Sequence, residues 1–199
     1  MTRFSVCLLF LFAWLLVAGC ATTELKDSWR NPEVATIQFH KVVVLAITGG
    51  AALRQSAEDE LVRQAPRGNM VAAYTFISDQ DLGNTEKLKQ LVKEAGFDGA
   101  VVFRILGTEK QQTYVPGHYT GAGTGLWGYY GNAWPLAMDP GYVVTNTFVE
   151  VETRVYSVAD EKLVWAGRSE TMDPQSVREL VDSVAKAVAK ELRAQGLIQ

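Results

Sequence analysis

Cysteine is nearly absent from this chain: two in 199 residues, Cys7 and Cys20, both near the start. Histidine is as scarce, with only His40 and His118. A structural zinc site takes four nitrogen or sulfur ligands, so this stock excludes one, and neither metal nor cofactor is expected. There is no cationic excess either, with 19 basic against 22 acidic side chains. Phosphate affinity rests on clustered Lys and Arg, so nucleic acid is excluded as a partner. No G-x-S-x-G is present and no serine has a histidine at a recognisable place. Gly123-Thr124-Gly125-Leu126-Trp127-Gly128 spells G-x-G-x-x-G, yet Pro116 precedes it, Pro135 follows, and no helical stripe is present. A dinucleotide fingerprint needs a strand before and a helix after, so that reading fails. A non-enzymatic chain is the expectation.

What is there begins at the N-terminus. Arg3 is followed by an apolar run from Phe4 to Ala18 and then by Val17-Ala18-Gly19-Cys20. The run falls short of the ~20 apolar residues that span a bilayer and suits a cleaved signal segment. Small residues before the cut let the backbone enter a protease cleft, and the thiol of Cys20 is the nucleophile that accepts a diacylglycerol. The block Val17-Ala18-Gly19-Cys20 resembles the bacterial lipobox, with Val17 where Leu is commoner. Residues 1–19 are therefore expected to be a signal peptide and Cys20 a lipidation site, with the bilayer as first partner. Removing Met1–Gly19 takes one basic residue, Arg3, and leaves 18 basic against 22 acidic, a net charge near −4. It also removes Cys7, so the mature chain has no free thiol.

Residues 20–38 read as a lipidated tether, polar and broken by Asn31-Pro32, and residues 39–199 as one α/β domain. Lys41 to Ile47 is a near-continuous apolar run, the mark of a strand covered on both faces. A helix follows from about Leu53 to Gln64, with Leu53, Ala57 and Leu61 inward and Glu58, Asp59 and Glu60 mostly outward. Met70 to Ile77 is a second strand. Asn84 or Thr85 caps a helix carrying Leu88, Leu91, Val92 and Ala95, and Gly96 stops it. Ala100 to Leu106 is a third strand, which completes β-α-β-α-β. Val143, Thr145, Thr147, Val149, Val151, Thr153 and Val155 then alternate along a strand that pairs as an antiparallel hairpin with Leu163 to Thr171. Glu150, Glu152, Arg154, Arg168 and Glu170 share its outer face as a charge ladder. Asp173-Pro174 provides an N-cap for a closing helix, whose stripe is Val177, Leu180, Val181, Val184, Val188 and Leu192. About five strands are expected.

Between these halves, residues 108–141 form a Gly/aromatic-rich loop without a helical or strand period, and a stretch of such length is usually functional or disordered. Tyr114, His118, Tyr119, Trp127, Tyr129, Tyr130 and Trp134 make it the candidate binding surface. Such rings anchor protein interfaces, stack on sugars, sit among lipid headgroups, or cover the domain's own sheet. Thr48-Gly49-Gly50 before a helix could hold an anion, and also occurs as an ordinary turn. His40, beside the first strand, reads as an edge residue.

Asp27-Ser28-Trp29-Arg30-Asn31-Pro32, Lys41 to Leu45, and Leu163-Val164-Trp165-Ala166-Gly167-Arg168-Ser169-Glu170-Thr171 with the closing helix resemble a family of uncharacterised bacterial outer-membrane lipoproteins. More distantly, the order of elements looks like the periplasmic domain shared by curli-secretion lipoproteins and activators of cell-wall synthases. The resemblance implies an envelope accessory or assembly role with a protein partner, and carries no catalytic residue over. Ala21 is not Asp, which by similarity to known lipoprotein sorting implies outer-membrane retention, the domain facing the periplasm. The alternative is a periplasmic domain that binds a small ligand or peptidoglycan-type glycan, with weak hydrolytic activity involving His118.

Overall fold

Valine-rich Val42–Ile47 sits at the centre of the molecule, and its first three residues are buried whichever face they point to. This strand, β2, lies between β3 (Met70–Ala72) and β4 (Gly99–Val115), parallel to both. The computed structural model describes residues 22–65, 68–117, 125–131 and 141–198. Its other strands are β1 (Thr22–Arg30), β5 (Tyr142–Ser157) and β6 (Lys162–Met172). All form one mixed sheet in the order β1-β6-β5-β4-β2-β3, in which β1 pairs with β6, β6 with β5 and β5 with β4, each antiparallel. This is the expected α/β fold, with β-α-β-α-β first and then the long hairpin and closing helix.

Helices cover both faces. On one, α1 (Ala51–Arg63) and α3 (Val177–Ala194) pack against Val44, Phe103, Val149, Val151, Val155 and Trp165. On the other, α2 (Thr85–Glu94) closes over Val43, Ala73, Ile77, Phe97 and Ala100, where Phe76 and Phe97 stack at 5.2 Å. Each fully buried Val or Leu in these cores contributes roughly 1.5–3 kcal/mol. The expected cap and stop of α2 hold: Asn84 accepts from the Lys87 N–H at 3.0 Å, and Gly96 turns left-handed after the helix at φ 72, as Gly196 does after α3 at φ 70.

Several expectations are corrected. Within the stretch read as tether, Thr22–Arg30 form the edge strand β1, paired from Thr22 opposite Met172 to Arg30 opposite Trp165. Its residues are structural: Arg168 donates to Asp27 at 2.9 Å, Arg30 to the Gln195 carbonyl at the end of α3 at 2.6 Å, and Asn31 to the Leu163 carbonyl at 3.1 Å. Among the described residues, six strands therefore replace five. Asp173 does not cap α3: its carboxylate accepts from the Thr147 N–H at 2.6 Å and its own N–H donates to the Thr147 carbonyl, which extends the β5 edge. The cap is Ser176, whose Oγ accepts from the Glu179 N–H at 3.2 Å. Met70 to Ile77 breaks after three residues of strand into a 3₁₀ turn, Ala73–Thr75.

Glu58 and Glu60, expected outward, are 1% and 2% exposed. Arg54, Ala57, Glu58 and Leu61 share one helical stripe. Glu58 accepts from the Ala46 N–H at 3.1 Å and the Tyr74 N–H at 2.7 Å, with the Arg54 guanidinium 3.4 Å away. Arg54 donates in turn to Asp79 at 2.8 Å and the Ile77 carbonyl at 2.9 Å. Burial pushes the Glu58 carboxyl above its usual range, and the backbone donors and Arg54 only partly offset this.

Candidate functional site

β4 and β5 outrun the sheet. β2 leaves β4 after Arg104, and a bulge between Ile105 and Gly107 shifts the register of β4 against β5. β6 leaves β5 at Phe148. Beyond that rung six residue pairs, Lys110–Thr147 to Val115–Tyr142, continue as a two-stranded ribbon. At ~3.4 Å per residue the arm is about 20 Å long. Its sequence fits a ribbon wet on both sides: Glu109, Lys110, Gln111, Gln112 and Thr113 are all exposed. The loop expected from residue 108 thus begins later, since residues 108–115 are strand. Alternation is missing because neither face is covered.

Past the ribbon, a short helix over residues 126–131 carries Leu126, Trp127, Tyr129 and Tyr130 outward. Trp127 is 81% exposed and Tyr129 70%, so these rings do not cover the domain's own sheet. Tyr114, Tyr142 and Val143 add exposed apolar area on the ribbon itself. The far end of the ribbon closes tightly at Gly141, whose φ of 85 suits glycine and where a side chain would strike the Val115 carbonyl and the Tyr114 hydroxyl. Of the candidate binding residues, the structure thus exposes Tyr114 on the ribbon and Trp127, Tyr129 and Tyr130 on the short helix. His118, Tyr119 and Trp134 lie outside the described residues, as do Cys20 and its preceding Val17, Ala18 and Gly19.

The start of the described chain belongs to the same end of the molecule. Thr22 lies opposite Met172, Met172 opposite Phe148, and Phe148 opposite Glu109. That rung is the one from which the arm departs. Hydroxyls fix the corner: Thr23 bonds Thr171 at 2.7 Å and Ser183 of α3 at 2.6 Å. This convergence of the chain start and the aromatic arm is invisible without the register.

The other candidates resolve into scaffold. His40 is exposed and pairs with Asp98 at 3.0 Å, and Asp98 also accepts the His40 and Lys41 N–H groups at 2.8 and 2.9 Å. Burial would raise the Asp98 carboxyl, but these hydrogen bonds prevail and hold it below the usual range. Glu150, Glu152, Arg154, Arg168 and Glu170 form the expected ladder, with Arg168 3.7 Å from Glu150, Arg154 2.7 Å from Glu152, and Lys26 3.0 Å from Glu170. Among the described residues no group of three His, Cys, Asp or Glu could hold a metal ion, and no helix is long and apolar enough to cross a membrane.

The fold and site define a class: a single mixed α/β sheet with helices on both faces and a projecting two-stranded arm. No family model matches the chain, and no curated protein matches it. Among solved structures it is similar to a PelC dodecamer from Paraburkholderia phytofirmans, in a form carrying one leucine-to-methionine substitution, at 13% identity and TM-score 0.44, covering 85% of this chain and 96% of that one. A second PelC dodecamer structure from that organism gives 12% and 0.41, covering 90% and 99%. Lipoprotein GNA1162 from Neisseria meningitidis gives 12% and 0.41, covering 77% and 98%.

Proposed function

We propose that this chain is a lipid-anchored bacterial lipoprotein acting as a non-catalytic accessory in the cell envelope, its arm engaging a protein partner close to the membrane. The observation that carries the reading is the shared end of Thr22 and the arm. Thr22 follows Cys20 by two residue steps, a reach of about 7 Å, so acyl chains on Cys20 would hold that end of the sheet against the bilayer. The arm extends about 20 Å beyond the same rung. It does not suit the hydrocarbon: Glu109, Lys110, Gln111 and Gln112 are charged or polar, and among the described residues the ribbon of residues 110–115 and 142–146 pairs with no third strand. The arm therefore runs along the membrane surface, where Trp127 and Tyr129 meet a protein held at the same height. Ala21 after the lipid cysteine, by similarity to known lipoprotein sorting, supports retention in the outer membrane.

The test uses the whole chain in its own host. A photoreactive amino acid at Trp127 should give one discrete protein adduct, and the same group at Glu33, at the opposite end, should not. Replacing residues 116–141 by Asn-Gly joins Val115 to Tyr142 through a two-residue hairpin turn and should abolish the effect of the native arm without unfolding the body. An adduct pattern identical at both positions overturns the arm as docking element. Cys20→Ser should move the chain out of the membrane fraction, and failure to do so overturns the anchor.

A further inference from the structure

The face covered by α1 and α3 is not filled. A cavity of about 530 Å³ lies between α3 and the sheet. Ligand pockets span roughly 300–1,000 Å³ and are mostly apolar with a few placed polar groups. Here the walls are Val42, Val101, Phe103, Val155, Val184 and Leu192, with Ile37 and Phe39 closing one side. Small residues create the space. Ala185 and Ala189 line it from α3, where a larger side chain would fill it. At the inner end stands Thr153, 5% exposed, whose hydroxyl has no hydrogen-bond partner among the described residues.

The cavity's lining runs along β4, with the Thr153 hydroxyl as an unpaired polar group among the described residues. Val42, beside Gly99, marks one end, and Phe103, beside Thr153, lies four residues further along β4. Four residues of strand make about 13 Å, close to half the ~30 Å hydrocarbon thickness of a bilayer, which is the depth of one acyl chain. Among the lining residues the exposed ones are Thr36, Gln38, His40, Arg193 and Gly196, so the mouth lies between residues 36–40 and the end of α3. His40 is engaged by Asp98. Arg30 already holds the Gln195 carbonyl at 2.6 Å. Arg193 makes no ion pair among the described residues, which leaves a cation at the mouth of an apolar tunnel.

We infer that this cavity binds a long-chain carboxylic acid, the aliphatic chain inside and the carboxylate on Arg193. The mouth opens at the end of the sheet opposite Thr22 and the arm. The ligand therefore enters from the side away from the anchor, as a free or carried acid and not as a phospholipid drawn from the bilayer beneath. This site is separate from the arm, and either can fail without the other.

Photoreactive diazirine palmitic acid is the probe, applied to the lipidated full chain in phosphatidylethanolamine–phosphatidylglycerol nanodiscs, with the labelled peptides mapped by mass spectrometry. Label should concentrate in residues 36–42 and 184–198 and be displaced by unlabelled palmitate. Ala189→Leu should abolish that labelling while the melting temperature is kept or raised. Ala185→Leu serves the same purpose if the first variant does not fold. Arg193→Gln, at an exposed position, should weaken labelling about tenfold, the scale of one charge-assisted hydrogen bond. Three outcomes overturn the inference: label spread in proportion to surface exposure, label at the arm end only, or equal labelling by the matching neutral fatty alcohol.

Discussion

The body and the arm of this protein are built by opposite rules. In the body, β2 is covered on both faces, β5 and β6 bury alternate side chains under α3, and even charged groups such as Glu58 and Arg54 are buried with partners. In the arm, two strands carry polar residues on both faces, and the large apolar side chains at its end point outward. Clustered exposed Trp and Tyr are the kind of apolar surface that marks candidate interaction sites. The difference teaches where to look for each kind of consequence. Substitutions in the body should be read in melting curves, and substitutions in the arm should be read only in binding.

The strongest test of the body is Glu58→Ala. It leaves the Ala46 and Tyr74 N–H groups without their acceptor and the buried Arg54 charge without its neighbour. Removing one member of a buried charged pair typically costs about 3–5 kcal/mol, read as a lower midpoint in urea unfolding. An unchanged midpoint would mean that the α1 face is far wetter than its burial implies. Next is Gly167→Ala. The indole of Trp165, fully buried, folds over Gly167 and leaves no room for a methyl group. Overpacking of this kind costs about 1–3 kcal/mol, and Trp165 fluorescence should shift with it.

These two sites also show how far the sequence can be read. The Arg54-Ala57-Glu58-Leu61 stripe is legible as one helix face, but residue type argues against it, since a carboxylate is costly to bury unless its partners are known. Those partners, Ala46 and Tyr74, come from other elements. β1 hides for a different reason. Thr23 and Leu25 point in and Glu24 and Lys26 out, and then a bulge between Leu25 and Asp27 breaks the period before it can be recognised. The arm half of β4 shows no period because nothing covers it. By contrast, α3 and the body half of β5, residues 148–157, are plain, because each buries one face and the 3.6 or 2.0 spacing survives. The aromatic candidates are legible as residue types, while their place beside Thr22 depends on strand register, a long-range property.

Smaller, and dependent on pH, is the effect at Asp98. Its carboxylate accepts the His40 and Lys41 N–H groups, so its folded pKa is depressed. Stability from such a group is present above the unfolded value and is lost as pH falls through the folded one. Asp98→Asn should therefore cost about 1 kcal/mol at neutral pH and remove that part of the acid sensitivity below about pH 4. Glu58 works in the other direction: its raised pKa makes the fold less stable as pH climbs from the unfolded value through the folded one. Acid melting curves of wild type and D98N, compared from about pH 3 to 6, should thus converge at the low end. Curves that stay parallel would show that Asp98 is not the group that titrates.

The smallest expected effect on stability is the most telling for function. Trp127 and Tyr129 are among the most exposed large side chains described. The double substitution Trp127→Ala and Tyr129→Ala removes no contact with either core cluster, so the melting midpoint should stay within about 0.5 kcal/mol of wild type. Binding should respond differently. If the arm docks on a protein near the membrane, interface aromatics of this kind each carry about 2 kcal/mol or more when truncated, roughly thirtyfold or greater in affinity per ring. In-cell crosslinking through a reporter at Tyr114 should then fall to background while membrane fractionation and melting are unchanged. A double variant that melts early would instead make the tip part of the body, and the contrast between the two regions would collapse. Preserved crosslinking with preserved stability would move the contact from the tip to the ribbon, where Tyr142 and Val143 are the remaining exposed apolar side chains.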